Sequence, residues 1–363
     1  MHVPFFEISS TAAKLRPALA QAFTSLGATP LVGGPTVRLL EEAVGAYTGA
    51  RHCLAVGSGT DALAVMLRAA GVGPGDEVIV PSYTFFASAS TVVHVGAVPV
   101  FVDITPGSYA IDPARVREAI TPRTKAIMPV HLFTSMAPMA QLAELADRHG
   151  LLLLEDSAEA IGMRTGGRHA GLFGAAGVLS FFPTKTLGAF GDAGMILTDD
   201  DALAERARGL AEGSAGGGAW RSGCDDIAAT VLLHRLASLP DEIAARAEAA
   251  ARYNARLTGI PGLTIPQPPD PNPIWYVYLV EAERRDELAA ALARDGIETE
   301  IYYPRPLPAQ PCFDDLNSRS HPVPVAERAS RCALALPLYP DLGTDRIDHV
   351  SDCVARFYGD RHA

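Results

Sequence analysis

From about residue 50 onward, short uninterrupted apolar runs alternate with segments of helical period, and no other feature of the chain narrows its fold as far. Residues 52–56, 78–80, 98–102, 126–130, 151–155, 178–182 and 195–198 read as strands. Segments 61–70, 85–94 and 138–149 read as helices between them. In the first helix Leu63, Met66, Leu67 and Ala70 share a face, and Gly71-Val-Gly-Pro-Gly75 stops it. Strands that are apolar on both sides leave no face for water. They imply an α/β fold whose mainly parallel sheet is covered by helices on both faces. Functional loops then lie beyond the carboxyl ends of the strands.

Further along, Glu212-Gly-Ser-Ala-Gly-Gly-Gly-Ala219 reads as a loop, and a long helical pattern over 226–257 is interrupted near Pro240. A proline-rich connector, 261–273, leads to strands at 275–280 and 297–301 around a helix at 284–295. This is a small C-terminal α/β unit. The expected division is a large domain over 1–245, with an N-terminal arm over 1–28, and a small domain over 246–363. A chain of 363 residues can bury a core in each.

Hydrophobic residues at 48% against 20% charged mark a folded chain, and a formal charge of −11 argues against general nucleic-acid affinity. An anionic ligand therefore needs a local basic or amide-rich site. The five cysteines are scattered without metal spacing, which points to a reducing cytoplasm. No signal peptide is evident at the N-terminus, and no apolar run reaches membrane-spanning length.

Two residues at expected strand ends carry the chemistry. Asp156 follows four leucines and Glu155. Lys185 lies in the small-residue loop of Leu-Ser-Phe-Phe-Pro-Thr-Lys-Thr-Leu-Gly-Ala-Phe-Gly-Asp192. Singly, they read as a turn acid and an exposed loop lysine. Together, an amine suited to Schiff-base formation and an acid suited to a protonated pyridine nitrogen point to pyridoxal phosphate. Gly57-Ser-Gly-Thr-Asp-Ala-Leu63 joins a strand to a helix start, where the amides of Gly59 and Thr60 suit a phosphate. By itself it is also an ordinary capped helix. Ser180 could donate to the same phosphate or simply end a strand. Phe85 could stack on a ring or belong to the core.

Gly57-Ser-Gly-Thr-Asp-Ala-Leu63, Gly75-Asp-Glu-Val-Ile-Val-Pro-Ser-Tyr-Thr-Phe85, Glu155-Asp-Ser-Ala-Glu-Ala-Ile-Gly162 and Ser180-Phe-Phe-Pro-Thr-Lys-Thr-Leu-Gly188 resemble the DegT/DnrJ/EryC1/StrS aminotransferases. That family makes amino sugars on nucleotide carriers. The likeness is dense over 30–210 and recurs at Ile301-Tyr-Tyr-Pro-Arg-Pro-Leu-Pro-Ala-Gln310. It implies the type I fold of pyridoxal phosphate enzymes, a homodimer with shared active sites, and L-glutamate or glutamine as amino donor. The resemblance makes Lys185 the lysine that binds the cofactor and Asp156 the partner of its ring nitrogen. Ser180, Gly59 and Thr60 would hold the phosphate, Phe85 would stack, and Tyr302 and Tyr303 would lie near the substrate. Glu159 stands where many members have glutamine. A carboxylate there must be protonated or turned toward a donor.

The chain also departs from the family. Where members carry Gly-x-Asn-x-Arg, with an asparagine reaching the partner's cofactor phosphate, the region reads Gly218-Ala-Trp-Arg-Ser-Gly223. Arg221 falls near the asparagine and could serve the phosphate in its place. Val130-His-Leu-Phe-Thr-Ser-Met136 lacks the common Gly-Gln, and Tyr302 replaces a frequent histidine.

The resemblance implies transfer of an amino group to a 3- or 4-keto-6-deoxyhexose on a nucleoside diphosphate. A keto-cyclitol is the alternative acceptor. A catalytically silent pyridoxal phosphate-binding or regulatory protein is the alternative class. Sugar dehydration is disfavoured, because the related dehydratases replace the lysine with histidine. For proton transfer, Lys185 should be neutral, its pKa lowered by burial and neighbouring positive charge.

Overall fold

The computed structural model describes residues 1–24, 30–214, 220–268, 270, 273–313 and 318–359. Along the chain run α1 (Ser9–Thr24), α2 (Pro35–Thr48), β1 (His52–Val56), α3 (Gly59–Ala69), β2 (Glu77–Pro81), α4 (Ala87–His94) and β3 (Val98–Val102). Next come α5 (Pro113–Ala119), β4 (Thr124–Ile127), α6 (Met139–His149), β5 (Leu152–Asp156) and a short hairpin of β6 (Arg164–Thr165) and β7 (Arg168–His169). After it follow β8 (Ala176–Ser180), β9 (Gly194–Thr198), α7 (Asp201–Glu212) and α8 (Asp226–Leu257). The C-terminal part holds β10 (Leu263–Thr264), β11 (Tyr278–Ala282), α9 (Arg285–Arg294), β12 (Arg319–Ser320), α10 (Pro324–Cys332), β13 (Ala333–Leu336) and α11 (Thr344–Gly359).

Eight strands form the main sheet in the order β1-β9-β8-β5-β4-β2-β3-β12. β9 is antiparallel to both neighbours, and the other neighbouring pairs are parallel. Alternate residues of one strand enter opposite cores. Val78 and Val80 pack under α3, α4 and α7, whereas Ile79 packs toward α5 and α6. Phe101 and Leu154 face the first core, and Val100, Val102 and Leu153 face the second. Burying each such side chain contributes about 2 kcal/mol relative to leaving it exposed. Double-sided burial is what the unbroken apolar runs require.

A second sheet, β10-β11-β13, is antiparallel and packs with α9, α11 and the end of α8. Val3 joins this small core: its N–H donates to the Gly296 carbonyl at 2.9 Å, and its carbonyl accepts from the Glu298 N–H at 3.0 Å. Among the described residues, no helix is long and apolar enough to cross a membrane.

Several expectations need correction. α8 runs unbroken through Pro240, because its first half packs in the large core with Leu232 and Leu239 and its second in the small core with Ala250 and Tyr253. Tertiary burial there overrides the amide that proline lacks. Position 245, where we still propose the domain change, lies inside this helix. β11 starts at Tyr278, not 275, since the Tyr276 amide donates to the Phe133 carbonyl of the large unit at 3.3 Å. Residues 297–301 form no strand, only isolated bridges from Ile297 to Val3 and from Glu300 to Ala335. β4 ends at Ile127, beyond which Val130 makes only a bridge to Asp156. β8 begins earlier than expected, at Ala176, because Gly177 is a packing residue: a Cβ there would lie 2.3 Å from Gly171 Cα. Residues 215–219 of the glycine-rich loop, 25–28 of the arm, and 269 and 271–272 of the connector lie outside the described residues.

Glu77 is fully buried at the start of β2 and ties the edge of the sheet together. Its carboxylate accepts from Thr121 Oγ1 at 2.5 Å, from Arg123 at 2.6 Å and from Arg319 of β12 at 3.0 Å. Burial favours the neutral acid, but these donors outweigh it and hold the pKa below the ordinary value. The stabilisation is therefore present at neutral pH and lost as pH falls through the folded-state pKa. Glu77→Ala should lower the unfolding free energy by about 3 kcal/mol at pH 7. In urea titrations the deficit should shrink as the pH is taken into the acid range.

Candidate active site

The carboxyl ends of β2, β5 and β8 meet the N-terminus of α3 at a cavity of about 410 Å³. It is lined by every residue singled out in the sequence except Arg221: Gly59, Thr60, Phe85, Asp156, Glu159, Ser180, Lys185, Tyr302 and Tyr303. Leu63, Thr84, Val130, Leu132, Phe182, Asp192 and Tyr276 complete much of the wall.

Asp156 ends β5 and is buried. Its carboxylate accepts from Ser88 Oγ of α4 at 2.7 Å and from the Ala158 amide at 3.2 Å. Burial raises its pKa, and Ser88, Ala158, Lys185 and His131 only partly counter the rise. Both bonded donors are neutral, so a protonated ring nitrogen would complete this acid. The Lys185 side chain is largely buried, and its Nζ donates to Glu159 Oε1 at 3.1 Å and sits 4.5 Å from the centre of the Tyr276 ring. The loop behind it is pinned by buried Arg235, which donates to the carbonyls of Gly188 at 2.6 Å and Thr186 at 3.3 Å.

At the other end of the cavity, Ser58 caps α3 by accepting from the Asp61 amide at 3.0 Å. The first amides of a helix have no partners within it, so those of Gly59 and Thr60 are suited to an anion. Glycine is required at 59 by close approach: a Cβ there would lie 2.7 Å from Ser180 Cβ. The segment before α8 is held against this turn by Asp61, which accepts from Trp220 Nε1 at 2.8 Å and from Ser222 Oγ at 2.6 Å. Ser222 Oγ accepts in turn from the Gly57 amide at 2.9 Å. Arg221, with a φ of 34°, is exposed and does not line the cavity of its own chain. An amine, a buried acid with neutral donors, an amide-rich turn and aromatic faces in one cavity fit pyridoxal phosphate.

The Lys185 amine departs from the expectation. Burial does press its pKa down, but Glu159, Tyr276 and Asp156 more than offset this, and the pKa lies above the ordinary value. The neighbours are carboxylates where positive charge was expected. Glu159 is turned toward donors on both oxygens, with Oε2 accepting from the Phe133 amide at 2.9 Å. Phe133, at φ 60°, belongs to the segment that lacks the common Gly-Gln. Ser88, Phe133 and Tyr276 were not picked out in the sequence. Ser88 lies inside a helix, the Phe133 contribution is a backbone amide, and Tyr276 reads as one more strand aromatic.

These features define a fold-type I cofactor enzyme, and comparison with known proteins agrees. The sequence profile of the DegT/DnrJ/EryC1/StrS aminotransferase family matches residues 17–355. The chain is 40% identical to a "Pleiotropic regulatory protein" of Geobacillus stearothermophilus, over 99% of each chain. It is also 40% identical to a dTDP-3-amino-3,4,6-trideoxy-alpha-D-glucose transaminase of Streptomyces venezuelae, covering 97% of this chain and 95% of that relative. Its structure matches that of S. venezuelae DesV in complex with a ketimine intermediate, with a TM-score of 0.92, 39% identity and 98% of each chain covered. The chain belongs to the DegT/DnrJ/EryC1/StrS family. It is an aminotransferase, and its cofactor is pyridoxal 5′-phosphate.

Gly59→Ala should force the start of α3 away from Ser180 and weaken cofactor affinity at least tenfold, roughly 1.4 kcal/mol. Equilibrium dialysis against pyridoxal phosphate measures this, and global stability should change far less.

Proposed function

We propose that the protein transfers an amino group from L-glutamate or glutamine to a 3- or 4-keto-6-deoxyhexose carried on a nucleoside diphosphate, in amino-sugar biosynthesis. The observation that carries this reading is the placement of Lys185 and Asp156 on one cavity beside the α3 turn. The S. venezuelae relative, named for a dTDP-amino-sugar, supports the substrate class. When bound, the cofactor supplies an aldehyde for exchange of carbon–nitrogen bonds and a ring that accepts electrons.

Within this reading Lys185 Nζ would hold the cofactor at its aldehyde and, when free, would serve as the base that moves the proton of the donor's alpha carbon. It must then be neutral, so its proton has to leave before each such step. Asp156 keeps the ring nitrogen protonated, with Ser88 fixing its carboxylate. The Gly59 and Thr60 amides and the Ser180 hydroxyl hold the phosphate. Phe85 would flank the ring, and Tyr302 and Tyr303 would orient the acceptor.

We further read the protein as a cytoplasmic homodimer with shared active sites, in which Arg221 serves the partner's phosphate. Exposed Leu31, Val32, Leu39, Phe85 and Phe182 support a covered face. Analytical ultracentrifugation showing only monomer would overturn this part.

Lys185→Ala should lose both the visible absorbance of lysine-bound cofactor and steady-state turnover. Retained turnover in the purified variant ends the assignment. Adding L-glutamate to the unaltered enzyme should convert its spectrum to that of pyridoxamine phosphate. Mass analysis of the pyridoxamine-loaded enzyme with nucleotide-ketosugars and keto-cyclitols should then yield an aminated nucleotide sugar. Amination of a cyclitol alone would replace the sugar reading, and no conversion with any common amino donor would favour a silent protein.

A further inference from the structure

Glu159 and Tyr276 are built into one receptacle through a single residue. The Phe133 amide donates to Glu159 Oε2 at 2.9 Å, and the Phe133 carbonyl accepts from the Tyr276 amide at 3.3 Å. This leaves Glu159 Oε1 and the face of the Tyr276 ring converging on Lys185 Nζ, at 3.1 Å and 4.5 Å. Both side chains of the ion pair are nearly out of water. Lys185 is the only basic side chain lining the cavity among the described residues. The other titratable groups facing this pair are Asp156 at the end of β5, Asp192 of the lysine loop, and Tyr302 and Tyr303.

We propose that Glu159 and Tyr276 form a holding site for the ammonium form of Lys185, which has to give up a proton before the amine can capture its cofactor. The inference rests on the reading of Lys185 as the cofactor-binding amine. The ammonium carries three hydrogens. As the nitrogen lone pair attacks the aldehyde carbon, the carbon–oxygen double bond is replaced by a carbon–nitrogen double bond. Two hydrogens leave with the oxygen as water, and the third is released to solvent as a proton. Nothing is oxidised or reduced. Glu159 thus sets the pH range in which the chain loads, because only the neutral amine attacks, while Tyr276 stabilises the charged form through its ring face.

The test follows cofactor capture, not turnover. Full-length chain freed of cofactor is mixed with pyridoxal phosphate between pH 6 and 10, and the rise of visible absorbance is timed. Borohydride reduction and peptide mass then locate the adduct. Glu159→Gln should move the pH–rate profile to lower pH, with capture at pH 7 faster by about tenfold for each unit the amine's pKa falls. Tyr276→Leu should move it the same way, whereas Tyr276→Phe, which keeps a ring face, should follow the unaltered chain. A Glu159→Gln profile that superimposes on the unaltered one, or moves to higher pH, overturns the proposal. If that variant does not fold by circular dichroism, identical profiles for the two Tyr276 variants overturn it instead. An adduct away from Lys185 in the unaltered chain means that the reading of the lysine itself has failed.

Discussion

The charge on Lys185 is held away from water because Glu159 and the face of Tyr276 receive it, and much of the surrounding structure serves that contact. Glu159 follows β5, Tyr276 precedes β11 of the small unit, and Phe133 in the large unit fixes both. The carboxylate at hydrogen-bond distance, together with Tyr276 and Asp156, outweighs the cost of burying the ammonium. The cofactor-free amine therefore favours its charged form, although its chemistry needs it neutral.

The sheet makes this arrangement possible. Parallel pairing of β5 with β4 and β8 brings Asp156 and Ser180 to the same edge, and α3 opens onto that edge from β1. Close packing then sets residue choice at the turns. Gly59 lets Ser180 approach the helix start, and Gly177 lets the backbone at Gly171 cross β8. Polar partners finish the frame: Asp61 holds Trp220 and Ser222 against the turn, and Arg235 holds the lysine loop from α8. The small unit is joined to this frame by a continuous helix through Pro240, and by Tyr276, which pairs with the large unit before its strand begins.

Much of this was legible in the sequence. Unbroken apolar runs at regular spacing dictate strands buried on both faces, since no other arrangement removes both sides from water. The acid after the leucines closes its strand, and the lysine follows in a small-residue loop beyond β8. From one to the other the sequence carries the cofactor, the fold class and the family. Local pattern failed where a partner distant in the chain decides the outcome. Pro240 reads as a break until both halves of its helix are seen buried, and 275–277 reads as strand until the Tyr276 amide turns to Phe133.

The sequence by itself determined the two-layered burial of the sheet, the amine and acid at its edge, and the glycine turn at the helix start, because each follows from residue type and spacing along the chain. Only the tertiary structure decided the protonation of Lys185, the pairing of Glu159 with Phe133 and the entry of Ser88 and Tyr276 into the site. Those depend on distances of about 3–5 Å between residues far apart in the chain, and electrostatic energies change steeply over such distances.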